Sequence, residues 1–207
     1  FCLLQISLLN QKIQEHNYSL DCKGSSMKKD SFSTTKERDS GKTIKRPLVA
    51  IAVPSTKLLD QLNEIKTVFD FFQVLSEISI VAAHRSPKKT LRFIDELEHK
   101  GVSVIIAAGS GSAHLPGMIA SLTTIPVIGV PLRGGTLDGM DSLLSMIQMP
   151  HGVPVGTMGI NSAYNAGIFA CQILALKYPY LKEKLRLDKG NLEEEEEEQD
   201  RLQSYKW

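Results

Sequence analysis

No stretch of the chain approaches the roughly 18 consecutive apolar residues that a membrane-spanning helix needs. An excess of charge is also missing: 24 basic side chains face 23 acidic ones, a formal net charge of +1. Such a balance creates no whole-chain field that would gather nucleic acid or a membrane surface, so any anionic ligand must be held by local groups. Cysteine is scarce and odd in number, at Cys2, Cys22 and Cys171, and only Cys171 lies in an apolar helical pattern. A disulfide framework is therefore not expected, and a reducing, cytoplasmic setting is. The apolar opening FCLLQISLL has no basic n-region and no small-residue cleavage site, so it does not read as a secretory signal. The chain does not begin with Met, and Met27 is the expected start. A plastid transit peptide is the alternative reading of the Ser/Thr/Lys-rich leader, and its acidic residues argue against it. No internal repeat is visible. A dinucleotide-binding fingerprint is absent too, because no G-x-G-x-x-G follows the first apolar run and no acidic residue ends the second.

What is present fits one core with two tails. Residues 1–46 end in a polar stretch almost without large apolar side chains, which cannot bury enough surface to offset ordering its backbone. They are expected to be a disordered leader or untidy N-terminus. Residues 188–207 contain six consecutive glutamates, Glu193 to Glu198, and are expected to be a solvated acidic tail. Between them, residues 47–187 alternate short apolar runs with longer amphipathic ones, the pattern of βα units around a parallel sheet. The expected strands are Leu48 to Val53, Ile78 to Ala83, Val102 to Ala108 and Ile125 to Pro131. Expected helices follow Leu58 to Phe72, open at Pro87 and stop at Gly101, then cover Asp141 to Gln148 and Ala163 to Lys177. The last has Tyr164, Ile168, Phe169, Cys171, Ile173 and Leu174 spread too widely for one stripe, which suggests either a second contact surface or core packing on several sides.

In an open parallel sheet, ligands gather at the carboxyl ends of the strands, where loops meet helix N-termini. Pro54 to Lys57 follows the first strand, Ala83 to Pro87 the second, and Gly109 to Gly117 the third. Each has a bland reading: a Gly/Ser-rich turn is a weak phosphate signal by itself, and a lone loop histidine is often only a loop histidine. Two imidazoles, a guanidinium and a row of backbone N–H groups converging on one crevice are harder to explain by packing.

The motifs AHRSP at 83–87, AGSGSAHLPGM at 108–118, IPVIGVP at 125–131, GMDSLLSMIQMP at 139–150 and GVPVGTMGI at 152–160 stand in fixed order. Together they resemble the 5-(carboxyamino)imidazole ribonucleotide mutase and phosphoribosylaminoimidazole carboxylase catalytic subunit family, in its bacterial-type mutase branch. The resemblance runs from Leu48 to about Leu176. It implies a three-layer αβα sandwich with a central parallel sheet, flavodoxin- or Rossmann-like. It also implies conversion of N5-carboxyaminoimidazole ribonucleotide to 4-carboxy-5-aminoimidazole ribonucleotide, a carboxyl shift in purine biosynthesis, without metal or organic cofactor. Further implications are a homo-octamer and a functional link to an ATP-dependent carboxylase that supplies the substrate. Catalytic roles fall on His84 and His114. Substrate contacts fall on Ser55, Lys57, Leu58, Ala82, Arg85, Ser110, Gly111, Ser112, Ala113, Leu115 and Pro116. An imidazole suits both halves of such a shift, because it can give a proton to the carbamate nitrogen and then take one from carbon.

The first loop departs from the family pattern GSxSD, reading Pro54-Ser55-Thr56-Lys57-Leu58. Pro54 removes an N–H and the freedom of a glycine, while Leu58 cannot accept a hydrogen bond where the family has an acid for the ribose hydroxyls. Lys57 adds positive charge. Three readings follow: the mutase with altered substrate binding, a relative acting on another carboxylated nucleotide or heterocycle, or a non-catalytic assembly subunit.

Overall fold

A computed structural model describes residues 38–39, 42–43, 46–134 and 136–204. The chain divides into two compact units, Phe1–Ile44 and Lys45–Trp207. Within the first, Arg38–Asp39 pairs antiparallel with Lys42–Thr43, a hairpin where the sequence suggested only a leader. Most of that leader, including Cys2, Cys22 and Met27, lies outside the described residues.

The second unit is a five-stranded parallel sheet with helices on both faces, as expected. Its strands are β1 (Leu48–Val53), β2 (Leu75–Ile80), β3 (Val104–Gly109), β4 (Val127–Pro131) and the short β5 (Gly156–Thr157). Their order across the sheet is β2-β1-β3-β4-β5, the flavodoxin-like order. β1 and β3 are apolar throughout and buried along almost their whole length because helices cover both sides. On one face, Val49, Ile51, Val53, Val104, Ile106, Ile128 and Val130 meet α1 (Asn63–Phe72), α5 (Ala163–Ala175) and the start of α6 (Pro179–Ser204). On the other, Ala50, Ala52, Ile105, Ala107 and Val127 meet α2 (Pro87–Lys100) and α3 (His114–Ala120).

The helices begin and end where the residues dictate. Ile65, Val68, Phe69 and Phe72 form the buried face of α1 at three- and four-residue spacing. Pro87 opens α2, where a missing N–H costs little, and Gly101 closes it in a left-handed conformation with its N–H on Glu98 and Leu97 carbonyls. Small residues on α5, chiefly Ala163, Ala166, Gly167 and Ala170, let it approach α1 closely. A Cβ at Gly167 would lie 3.1 Å from Val68 Cβ.

Three differences from the sequence reading have physical causes. The second strand is Leu75–Ile80, earlier than the 78–83 segment expected. Val81 N still bonds to Val53 O, but Ala82 O then accepts the N–H groups of Arg85 and Ser86, so the chain is already turning. The strand's true start was hidden by Ser76 and Glu77, which are tolerated because β2 is a sheet edge; Glu77 pairs with Lys100 at 2.8 Å. Second, Thr56–Leu62 is a 3-10 helix that precedes α1. Third, α6 carries the acidic run as helix, exposed from Glu193 to Arg201, so the boundary placed after residue 187 falls within a helix. Leu181 and Leu185 anchor its first turns in the core, and glutamate is a good helix former.

Two outcomes check this packing. Gly167→Leu should destabilise the fold by about 2 kcal/mol in urea titration, because a branched chain must be forced between α5 and α1. Cys171 is fully buried, and burial first, then the Asp188 carboxylate, pushes its thiol up to about 12. Iodoacetamide at pH 8 should leave the Cys171 peptide unmodified in the folded protein and alkylate it in urea, as read by mass spectrometry.

Candidate active site

The strand order sets the three loops along one carboxyl edge of the sheet. β1 and β3 are neighbours, so the loops that follow them lie side by side at the carboxyl edge. β2 borders β1 and delivers His84 to the same edge. The β3 loop is folded by two left-handed residues, Gly111 at φ +64° and Ala113 at φ +45°. Ala113 N donates to Ser110 O at 3.3 Å, which removes it from the expected row of free donors. The N–H groups of Gly111 and Ser112 donate to nothing among the described residues and remain available. His114 then begins α3.

His84 and His114 stand with ring centroids 6.4 Å apart and planes inclined at 63°. Both are exposed, and neither ring makes a hydrogen bond among the described residues. They border a cleft of about 740 Å³, with Gly111, Ser112 and Ala113 contributing the β3 loop. The rest of its wall comes from α3 and from α4 (Met140–Ile147): Gly117, Met118 and Ser121 on one side, Asp141 and Ser145 on the other, closed by Met149, Pro150 and Val153.

Several expected residues sit elsewhere. Leu115 and Pro116 turn inward and are buried, Leu115 in the core beneath α3. Ser55, Lys57, Leu58, Ala82, Arg85 and Ser110 do not line this cleft. Ser55 caps the 3-10 helix, its Oγ accepting the Lys57 N–H at 3.3 Å, and Leu58 packs partly buried against the core. Lys57 and Arg85 are exposed, on the segments that follow β1 and β2. Ala82 supplies the carbonyl that turns the chain toward His84.

Asp141, Ser145 and Met149 were not singled out from sequence, although a signal was there. Asp141 and Ser145 are four residues apart and so lie on one side of α4, while Met149 follows two residues beyond the helix end. Gly117 matters because a Cβ there would lie 2.9 Å from Met149 Sδ, so glycine permits the cleft's two walls to approach. No group of three or more His, Cys, Asp or Glu suited to a metal occurs among the described residues.

A flavodoxin-like sheet with a histidine-bearing cleft at its carboxyl edge defines an α/β enzyme-type domain. Comparison with known proteins narrows that class. Residues 48–195 match the family described as AIR carboxylase, and the chain belongs to that family. It is 45% identical to the N5-carboxyaminoimidazole ribonucleotide mutase of Pyrococcus horikoshii over 163 residues, which cover 78% of this chain and 92% of that one. The phosphoribosylaminoimidazole carboxylase of Schizosaccharomyces pombe is 43% identical over 165 residues, 79% of this chain but 30% of that longer protein. The crystal structure of Treponema denticola PurE matches with a TM-score of 0.71, covering 78% of this chain and all of that one; at 21% identity it shows the fold.

The β3 loop offers a direct check. A β-branched residue at φ +45° is strained, so Ala113→Val should cost about 2 kcal/mol in urea titration, whereas Ala113→Gly should cost under about 1 kcal/mol.

Proposed function

We propose that this protein converts N5-carboxyaminoimidazole ribonucleotide to 4-carboxy-5-aminoimidazole ribonucleotide, with His84 as the proton carrier. One observation carries the reading: two imidazoles 6.4 Å apart border a cleft whose loop presents free N–H groups, in a chain of the AIR carboxylase family.

The chemistry balances with one shuttling proton. His84 protonates the carbamate nitrogen, the N–C bond breaks, and CO2 and a neutral 5-amino group result. C4 of the aminoimidazole then attacks CO2, forming the new C–C bond. The C4 proton returns to His84, and the ring regains aromaticity. An imidazole held at the cleft mouth serves as acid and then as base. The N–H groups of Gly111 and Ser112 are suited to holding the carboxylate oxygens as charge moves onto them. Met118, Met149 and Val153 give the cleft an apolar wall, which offers water no hydrogen bonds beside CO2. His114 faces His84 and completes the polar end of the cleft.

The nucleotide's phosphate falls to the rim on this reading: Ser55, Lys57 and Arg85 offer a hydroxyl, an ammonium and a planar guanidinium. A relative acting on another carboxylated heterocycle is the second reading, and the specific observation in its favour is Leu58, packed on the core and unable to accept a hydrogen bond from ribose. The non-catalytic assembly subunit remains a third.

The same reading extends to assembly and setting. Tyr164, Phe169 and Leu176 on and just after α5 are exposed, as are Met140, Leu144 and Ile147 of α4. These surfaces are suited to contact with further copies in a homo-octamer. No described helix is long and apolar enough to cross a membrane. A cytoplasmic enzyme fed by an ATP-dependent carboxylase is the context proposed.

The test is turnover of N5-carboxyaminoimidazole ribonucleotide by the purified chain, with His84→Asn as the control. The variant should melt like the parent and lose about 100-fold or more in kcat, the scale of a missing general acid–base. A folded parent with no turnover, or a His84→Asn variant as active as the parent, overturns the mutase reading.

A further inference from the structure

One cation at the crevice belongs to none of the quoted motifs. Arg133 lies in the loop after β4, and its backbone is held on both sides. Its N–H donates to Asn161 Oδ1 at 2.9 Å, and its carbonyl accepts from Gln61 Nε2 at 3.2 Å. Asn161 takes a left-handed conformation at φ +54° and itself donates its N–H to Pro131 O. Gln61 belongs to the 3-10 helix that follows the first loop. The fourth loop is thereby tied to the first, across the sheet's switch point between β1 and β3.

The next residue shows how near these loops are. A Cβ on Gly134 would lie 3.4 Å from Ser110 Cβ and 3.9 Å from Leu58 Cδ2. The loop carrying Arg133 therefore abuts both the β3 loop and the position where the first loop presents leucine. Gln61 Oε1 is buried and has no hydrogen-bond partner among the described residues; as an acceptor it suits a hydroxyl of the ligand and not the phosphate itself.

The guanidinium, by contrast, is weakly engaged. Its Nε lies 3.4 Å from Asp138 Oδ2, with the two side chains 61% and 78% exposed. An exposed pair in that geometry contributes little. The terminal nitrogens donate no hydrogen bond among the described residues, which leaves a planar fork open to solvent on a fixed backbone. Phosphate is the ligand that such a fork fits best.

We infer that Arg133 is a specificity-determining contact for the substrate's 5′-phosphate, held in place by Gln61 and Asn161. It supplies from the fourth loop part of the anion binding that Pro54 weakens in the first. This rests on the proposed nucleotide substrate, and it adds Arg133 to Ser55, Lys57 and Arg85 as a group that binds its phosphate. Asp138 is the internal anion that phosphate displaces.

The experiment compares the full chain with Arg133→Ala and Arg133→Lys in two measurements. Steady-state kinetics with N5-carboxyaminoimidazole ribonucleotide should show KM raised about tenfold by Arg133→Ala, with kcat within about twofold, as expected for losing one solvent-exposed charge-assisted contact. Calorimetric titration with ribose 5-phosphate should show affinity reduced by a similar factor, and Arg133→Lys should recover part of both losses. A purely structural role for Arg133 would instead lower the melting temperature and leave ribose 5-phosphate affinity unchanged, which overturns the inference. So does an unchanged KM with unchanged affinity, or a fall confined to kcat. Should the parent bind ribose 5-phosphate through Arg133 yet turn over no substrate, the mutase reading fails and the phosphate contact stands.

Discussion

Burial of the parallel sheet on both faces is the constraint from which the rest follows. β1 and β3 give both their faces to helices, so no polar side chain can be placed along their interiors without leaving it unsatisfied. Chemistry is thereby driven to the strand ends. The order β2-β1-β3-β4-β5 then decides which ends meet, since connections leave β1 and β3 toward opposite sides and open a crevice between their loops. Even the fourth loop is drawn in by pairing: Leu132 N bonds to Gly109 O just past the ladder's last register, holding the chain beside the β3 loop.

The same constraint explains which parts of the fold were legible in the sequence. A strand covered on both sides must be continuously apolar, so Leu48–Val53 announced itself, and α1 and α2 carried helical stripes, α2 with a recognisable stop at Gly101. The edge strand β2 obeys a looser rule. With one side open to solvent it admits Ser76 and Glu77, so its first half reads as polar linker while the apolar residues after Ile80 already belong to the turn. The helix at Pro179–Ser204 was obscured for another reason: like charges at consecutive positions signal repulsion, whereas helix formation there depends on anchorage by Leu181 and Leu185 many residues earlier. α3, seven residues long, is too short to show a period.

Within the site, local motifs announced the residues that project from loops, and could not announce those that project from helix sides. His84 and the turn of Gly111 to Ala113 sit where a strand ends, so position alone implies exposure to the crevice. Asp141 and Ser145 acquire meaning only once α4 is known to stand opposite α3, a tertiary fact set by the absence of a side chain at Gly117. Leu115 and Pro116 show the converse. Their neighbourhood to His114 in sequence suggested the site, but on a helix adjacent residues point about 100° apart, and these two point to the core.

Leu58 shows why the altered first loop is a repacked element and not a single lost contact. Its side chain is partly buried against the same core that receives Leu59 and Leu62 of the 3-10 helix. A carboxylate at that position would surrender the apolar contact and would bring a charge toward a partly desolvated pocket, where it costs free energy unless paired. Restoring an acid there is therefore not equivalent to restoring a binding site. The loop packs as a wall, and on the proposed reading polar recognition of the nucleotide falls to groups whose backbones are fixed nearby while their side chains stay in water. Lys57 at the 3-10 helix and Arg133 across from it meet both conditions, and Gln61 joins the two segments through a hydrogen bond that a leucine-packed first loop leaves undisturbed.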